Sequence, residues 1–93
     1  MAEIEKYDFK THVTCFGRAV IEMRELRKMS REQLAKKSRV KLTMLTKIEE
    51  GKITGDDFGL QEICRLSNGM GITPHRLMLK WEQLVKDAGS AWW

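Results

Sequence analysis

Few residues of this 93-residue chain have the types and spacing that chemistry requires. Its two cysteines, Cys15 and Cys64, form no CxxC pair and have no histidine at metal-ligand spacing. The sequence contains no recognisable nucleophile–base pair or phosphate loop, so we expect neither enzymatic activity nor a cofactor. Both cysteines lie among apolar residues, which predicts buried, reduced thiols rather than a redox switch. His12 and His75 are expected at the surface.

Basic side chains are the other chemically active group, and they are concentrated in one stretch. Residues 24–52 contain ten basic and four acidic residues, a net charge of +6, whereas the rest of the chain carries −2. Such a block inside a folded domain is typical of surfaces that bind phosphate groups. An ordinary solvated helical face would look the same by charge alone. The interpretation therefore depends on the elements that position these residues.

Composition predicts one small, all-α domain. Hydrophobic residues make up 42% of the chain and charged residues 32%, with a single proline. That balance is globular, and the abundance of Leu, Glu, Lys, Met, Arg and Gln favours helices. No apolar run is long enough to cross a membrane, and the N-terminus is too acidic for a signal peptide. These features suit a cytoplasmic protein of bacterial or phage-derived origin.

The pattern divides the chain into an arm (residues 1–13), a domain (14–88) and a tail (89–93). Apolar spacing and end signals predict five helices. Their expected ranges are 11 or 14–28, 31–37, 42–50, 60–70 and 74–87. Ser30 and Gln33 form a capping box for the second helix, Gly51 ends the third, and Thr73 with Pro74 begins the fifth.

The second and third helices fit a helix-turn-helix, which needs a small residue at the crossing and apolar residues facing a further helix. Ala35 is the small residue. The predicted core positions are Leu34, Val40, Leu45 and Ile48. The opposite face of the third helix would enter the major groove of DNA.

At these positions the sequence resembles the phage repressor and Cro-like (XRE) family. The resemblance rests on residues 30–37, Val40 and residues 45–51, with Phe16-Gly17 to Met23-Arg24 upstream and residues 70–73 downstream. It implies a five-helix lambda-repressor-like domain that binds double-stranded, palindromic DNA as a homodimer.

The resemblance also implies roles for individual residues. Base-reading positions would be Leu42, Thr43, Met44, Thr46 and Lys47. Leu42 and Met44 are alternatively residues of a protein interface. Arg31 would contact a phosphate, and Arg24 would pair with Glu49. Phosphate contacts are also expected for Arg39, Lys41 and Lys52.

The chain departs from the family pattern at the turn. Ser38-Arg39 stands where the family usually has an apolar residue and then glycine, so either Arg39 adopts a strained left-handed conformation or the turn is reshaped. Lys41 replaces a capping hydroxyl and cannot accept the free amide protons of the helix. The loop after Gly51 is longer and carries Asp56 and Asp57.

Two functions agree with this sequence. The first is a transcriptional regulator, more specifically a repressor, that binds its operator as a homodimer. The alternative is an antitoxin that binds a toxin partner and its own operon. Trp81, Trp92 and Trp93 are candidates for the dimer or partner contact, because exposed tryptophans are uncommon.

Overall fold

The computed structural model describes residues 9–54 and 59–89, and these ranges contain five α-helices. The helices are α1 (Phe9–Leu26), α2 (Arg31–Ser38), α3 (Leu42–Glu49), α4 (Leu60–Met70) and α5 (Pro74–Asp87). Within the described ranges, no helix is long and apolar enough to cross a membrane.

Helix α1 is the central element of the fold, and it packs against both α3 and α5. It begins at Phe9, so residues 9–13 of the predicted arm are helical, whereas residues 1–8 lie outside the described range. Phe16 and Val20, four residues apart, are fully buried on its inner face. His12 continues this row by one turn and is 4% exposed, so the expectation that it lies at the surface was wrong.

Helix α5 closes the domain against α1 through an aromatic contact. It begins as predicted, with the Thr73 hydroxyl accepting a hydrogen bond from the Arg76 amide and Pro74 at the first helical position. The Trp81 ring meets Phe16 edge to face, with ring centroids 4.8 Å apart. Its indole Nε1 donates to the His12 carbonyl at 2.8 Å. Trp81 therefore joins α5 to α1 within the domain.

The predicted helix-turn-helix core is confirmed. Leu34, Leu45 and Ile48 are fully buried, and Ala35 and Val40 are nearly so. Helix α2 also packs against α4 at Gly69, where a Cβ would lie 2.8 Å from the Ser38 Cβ. Only glycine permits this approach, so α4 fixes the position of α2.

The two cysteines occupy different environments. Cys15 is buried as predicted, and burial raises the pKa of its thiol, although the charge of Arg18 acts in the opposite direction. Cys64 is exposed, which corrects the prediction of two buried thiols. Helix α4 buries Ile63, Leu66 and Met70, and position 64 lies beside that row rather than in it.

Helices α1 and α3 meet backbone to backbone at Gly17. A Cβ at this position would overlap the Ile48 carbonyl oxygen and lie 3.0 Å from the Glu49 carbonyl oxygen. Both atoms are backbone, so neither can move aside without shifting α3. The absence of a side chain at Gly17 therefore sets the distance between the two helices.

We expect Gly17→Ala to destabilise the domain by at least about 1–3 kcal/mol, the usual cost of overpacking, despite the better helix propensity of alanine. Gly59→Ser is the control, because among the described residues a Cβ there meets only the Glu62 Oε1, at 3.7 Å. Urea unfolding of both variants measures the effect. Equal stability of the two variants would show that α1 and α3 do not meet at Gly17.

Candidate nucleic-acid interface

The capping box holds the start of α2 as predicted. The Ser30 hydroxyl accepts from the Gln33 amide at 3.0 Å, and the Gln33 side chain accepts from the Ser30 amide at 2.8 Å. Each residue satisfies a donor that the helix leaves free. The first helical residue, Arg31, is thereby fixed at the edge of the helix-turn-helix.

The turn between α2 and α3 keeps its left-handed residue although it has no glycine. Arg39 has φ 61° and ψ 27°, so the first of the two sequence-based alternatives is correct. The buried Ser38 hydroxyl donates to the Ala35 carbonyl at 3.4 Å and accepts from the Val40 amide at 3.3 Å. These bonds brace the turn, and the Arg39 side chain is left exposed.

Helix α3 begins without a side-chain cap. Lys41 occupies the N-cap position and makes no capping hydrogen bond, in agreement with the sequence analysis. Its exposed ammonium group lies at the positive end of the α3 dipole, which is unfavourable unless an anion is present.

The two faces of α3 have opposite character. Leu45, Ile48 and Glu49 are buried against the domain. On the other face, Thr43 and Lys47 are exposed, and Leu42 is 40% exposed. The other two predicted base-reading residues, Met44 and Thr46, are half-buried, and Met44 packs against the core. The outermost side chains of this face are therefore Leu42, Thr43 and Lys47.

A buried carboxylate joins α1, α2 and α3. The Glu49 side chain is fully buried, and Arg24 contacts it with two nitrogens, Nε at 2.8 Å and Nη2 at 3.1 Å. The remaining nitrogen of Arg24, Nη1, donates to the Met29 carbonyl at 2.9 Å. This geometry agrees with the pair predicted from the family resemblance. Because the charges and donors are matched, the cost of burying the carboxylate is offset.

Arg31 is a second partner of Glu49 that the sequence analysis did not identify. Its Nε donates to the Glu49 Oε1 at 2.9 Å, and its Nη1 approaches the Thr46 hydroxyl at 3.5 Å. Arg24 already balances the charge of Glu49, so the three residues together carry +1. That charge is presented outward by Arg31, whose side chain is 34% exposed. The guanidinium is thus oriented beside the outer face of α3.

The other predicted phosphate contacts differ in their surroundings. Arg39 and Lys41 are exposed at the turn. Lys52 follows α3 and pairs with Glu50 at 3.3 Å, although its side chain remains 71% exposed. Such an exposed pair is weak, so Lys52 remains available to another anion.

The tryptophan predictions fall partly outside the described residues. Trp92 and Trp93 lie beyond residue 89. Trp81 is half-buried and contacts Phe16 and His12 of its own chain. Its predicted part in a dimer or partner contact stays a prediction.

Comparison with known proteins assigns the class. Residues 20–77 match the family model described as helix-turn-helix, which covers more than half of the chain. The chain therefore belongs to the helix-turn-helix family, and it is an XRE-type, DNA-binding transcription regulator. The matched segment begins within α1 and ends within α5.

One similar solved structure is the crystal structure of the restriction-modification controller protein C.AhdI from Aeromonas hydrophila. The TM-score is 0.64 at 26% sequence identity, and the alignment covers 70% of this chain and 94% of that chain. No curated protein sequence matches the chain significantly. The likeness confirms the five-helix fold predicted from the sequence.

We expect Glu49→Gln to lower the free energy of unfolding by roughly 3–5 kcal/mol, because it leaves buried guanidinium donors without their charged acceptor. Glu50→Gln is a matched control on the next residue, where the carboxylate is exposed and should contribute less than about 1 kcal/mol. Urea unfolding at neutral pH measures both changes. If Glu49→Gln unfolds at the wild-type midpoint, the buried three-residue cluster does not exist in solution.

The left-handed turn predicts an order of stability for two variants that both remove the Arg39 charge. Arg39→Gly should be more stable than Arg39→Ala by about 1 kcal/mol, because only glycine adopts this conformation without steric cost. Both variants should lose the same DNA affinity, since both lack the guanidinium. Thermal unfolding and DNA titration measure the two effects. A more stable alanine variant would argue against the left-handed turn.

Proposed function

We propose that this regulator binds a near-palindromic operator as a homodimer and represses transcription there. The observation that carries the proposal is the exposed outer face of α3, which lies between Arg31 and the cations of the turn. Repression requires only that the bound protein excludes the polymerase, and a single DNA-binding domain suffices for this. The role named for C.AhdI, control of a restriction–modification system, supports a controller role.

The exposed face of α3 offers three kinds of base contact. The Lys47 ammonium can donate to the O6 and N7 of guanine. The Thr43 hydroxyl can donate or accept, and the Leu42 side chain is suited to the methyl group of thymine. Met44 and Thr46 are less accessible, so we assign them to the border of this surface rather than its centre.

Phosphate contacts would position this face without selecting a sequence. We assign this role to Arg31, Arg39, Lys41 and Lys52. Arg31 is the best oriented of them, because the buried Glu49 carboxylate fixes its guanidinium. An oriented guanidinium loses less side-chain entropy when it binds an oxyanion than a flexible lysine does.

The dimer follows from the small size of the reading surface. One eight-residue helix contacts only a few base pairs, which is too short a site for useful specificity in a genome. Two copies related by a two-fold axis would read two half-sites about one helical turn apart. Trp81 and the tail residues Trp92 and Trp93 remain the candidate contact.

The antitoxin function predicts a different use of the same fold. The antitoxin hypothesis depends on the three tryptophans forming a surface that binds a toxin. The indole of Trp81 lies against its own domain, and Trp92 and Trp93 are outside the described residues. The exposed outer face of α3 supports the regulator, whereas the described contacts of Trp81 are made within its own chain.

Lys47 on α3 and Lys41 at its N-cap provide a charge-matched test. Lys47→Ala should cost roughly 1–3 kcal/mol on the preferred site and relax selection at one base pair of each half-site. Lys41→Ala removes the same charge from a phosphate-contacting position, so it should weaken binding to all sequences alike. Thr43→Ala should behave like Lys47→Ala without any change of charge.

The measurement begins with selection of bound DNA from a random pool. Each variant is then titrated against the selected site and a scrambled site at two salt concentrations. Selected sites should contain two related half-sites and bind two protomers. Equal losses on both DNAs for Thr43→Ala and Lys47→Ala would refute sequence reading by α3, and single half-sites would refute the dimer.

A further inference from the structure

A shallow hollow lies beside the first turn of α3, at the edge of the helix-turn-helix surface described above. Its volume is about 310 Å³, and it lies between the α2–α3 turn and the start of α4. Its lining residues are Arg39, Val40, Lys41, Met44, Glu62 and Arg65. Met44 also borders the outer face of α3, so the hollow and the proposed DNA-reading face are neighbours.

Three cations from different parts of the fold meet at this hollow. Arg39 belongs to the left-handed turn, Lys41 to the uncapped start of α3, and Arg65 to the second turn of α4. All three side chains are exposed. In the described ranges, none of them forms an ion pair or a side-chain hydrogen bond, whereas Arg24, Arg31 and Lys80 each have a carboxylate partner.

The acidic residue of the hollow does not cancel these charges. Glu62 accepts a hydrogen bond from the Gly59 amide at 2.9 Å, so one oxygen of its carboxylate is engaged at the start of α4. One carboxylate among three cations leaves a net charge of +2. Like charges that converge in this way repel one another, and an anion between them would remove the repulsion.

The backbone at this point also favours an anion. The N-cap residue Lys41 provides no side-chain acceptor for the N-terminal amides of α3. The positive end of the helix dipole adds to the potential of the three side chains. Arg39 and Lys41 are also the two residues that break the local rules for a stable turn and a capped helix. Anion binding would explain why both positions carry a cation.

We propose that Arg65 binds a DNA backbone phosphate in this hollow together with Arg39 and Lys41. The inference rests on the proposed function, because it requires DNA on the outer face of α3. It extends the DNA contact to α4, which is not one of the two helices of the helix-turn-helix. Arg31 lies near Thr46, toward the other end of α3. The reading helix would thus be held by phosphate contacts at both ends.

The test compares Arg65→Gln with Arg76→Gln. Arg76 is an exposed residue of α5 outside the hollow, and its side chain has no partner among the described residues. Both substitutions remove one positive charge from the surface. Equal thermal midpoints of the two variants and the wild type establish that each is folded.

Affinity for the selected DNA is then measured across a fourfold range of salt. Losing one whole phosphate contact reduces the salt slope by about 0.9. Arg39 and Lys41 still face this phosphate in Arg65→Gln, so the slope should fall by up to about 0.9. Over a fourfold salt range, the affinity of the variant should then drop by a factor up to about 3.5-fold smaller per protomer than that of the wild type. At low salt it should bind more weakly to selected and scrambled DNA alike. Arg76→Gln should keep the wild-type slope.

Neutral methylphosphonates placed singly along the site distinguish a backbone phosphate from a diffuse field or a free phosphate ion. One position per half-site should weaken the wild type more than Arg65→Gln, because the variant keeps only Arg39 and Lys41 at that phosphate. A wild-type slope for Arg65→Gln, or the same small change in both variants, would overturn this inference alone if Lys47→Ala still relaxes the sequence preference. A chain that binds no DNA would overturn the proposed function as well.

Discussion

The buried Glu49 carboxylate is the interaction on which the remaining structure depends. It receives Arg24 from α1 and Arg31 from α2, and its own helix, α3, supplies the exposed face. An isolated carboxylate in this position would be very costly, so the three helices must assemble together. The same contact that fixes the crossing of the helices also orients the guanidinium assigned to a phosphate. In the proposed function, folding and DNA binding would therefore depend on the same ion cluster.

Close backbone contacts at two glycines also fix the positions of the helices. Gly17 brings α1 against the end of α3, and Gly69 brings α4 against the end of α2. The helix-turn-helix is thus held from both sides by glycines whose missing side chains set the distances. A two-helix unit of this size could not bury enough apolar surface to be stable alone. This explains why α2 and α3 need the other three helices.

Local signals in the sequence predicted most of the fold. The Ser30 capping box, the Thr73-Pro74 start and the core positions Leu45 and Ile48 are properties of neighbouring residues, and the structure confirms them. The burial of His12, the exposure of Cys64 and the contact of Arg31 with Glu49 were missed. Each depends on which helices pack together, and spacing along one helix does not contain that information. The family resemblance supplied the Arg24–Glu49 pair, and the assigned DNA contacts remain predictions.

The strained turn has a consequence for how this protein evolves. Arg39 and Lys41 occupy positions where glycine and a small hydroxyl residue would be more stable. A population of variants selected only for resistance to heat would therefore drift toward an uncharged turn. If both cations bind phosphate as proposed, a population selected for DNA binding would retain them at the expense of stability. Under the proposed function, the two selections would therefore favour different residues at this turn.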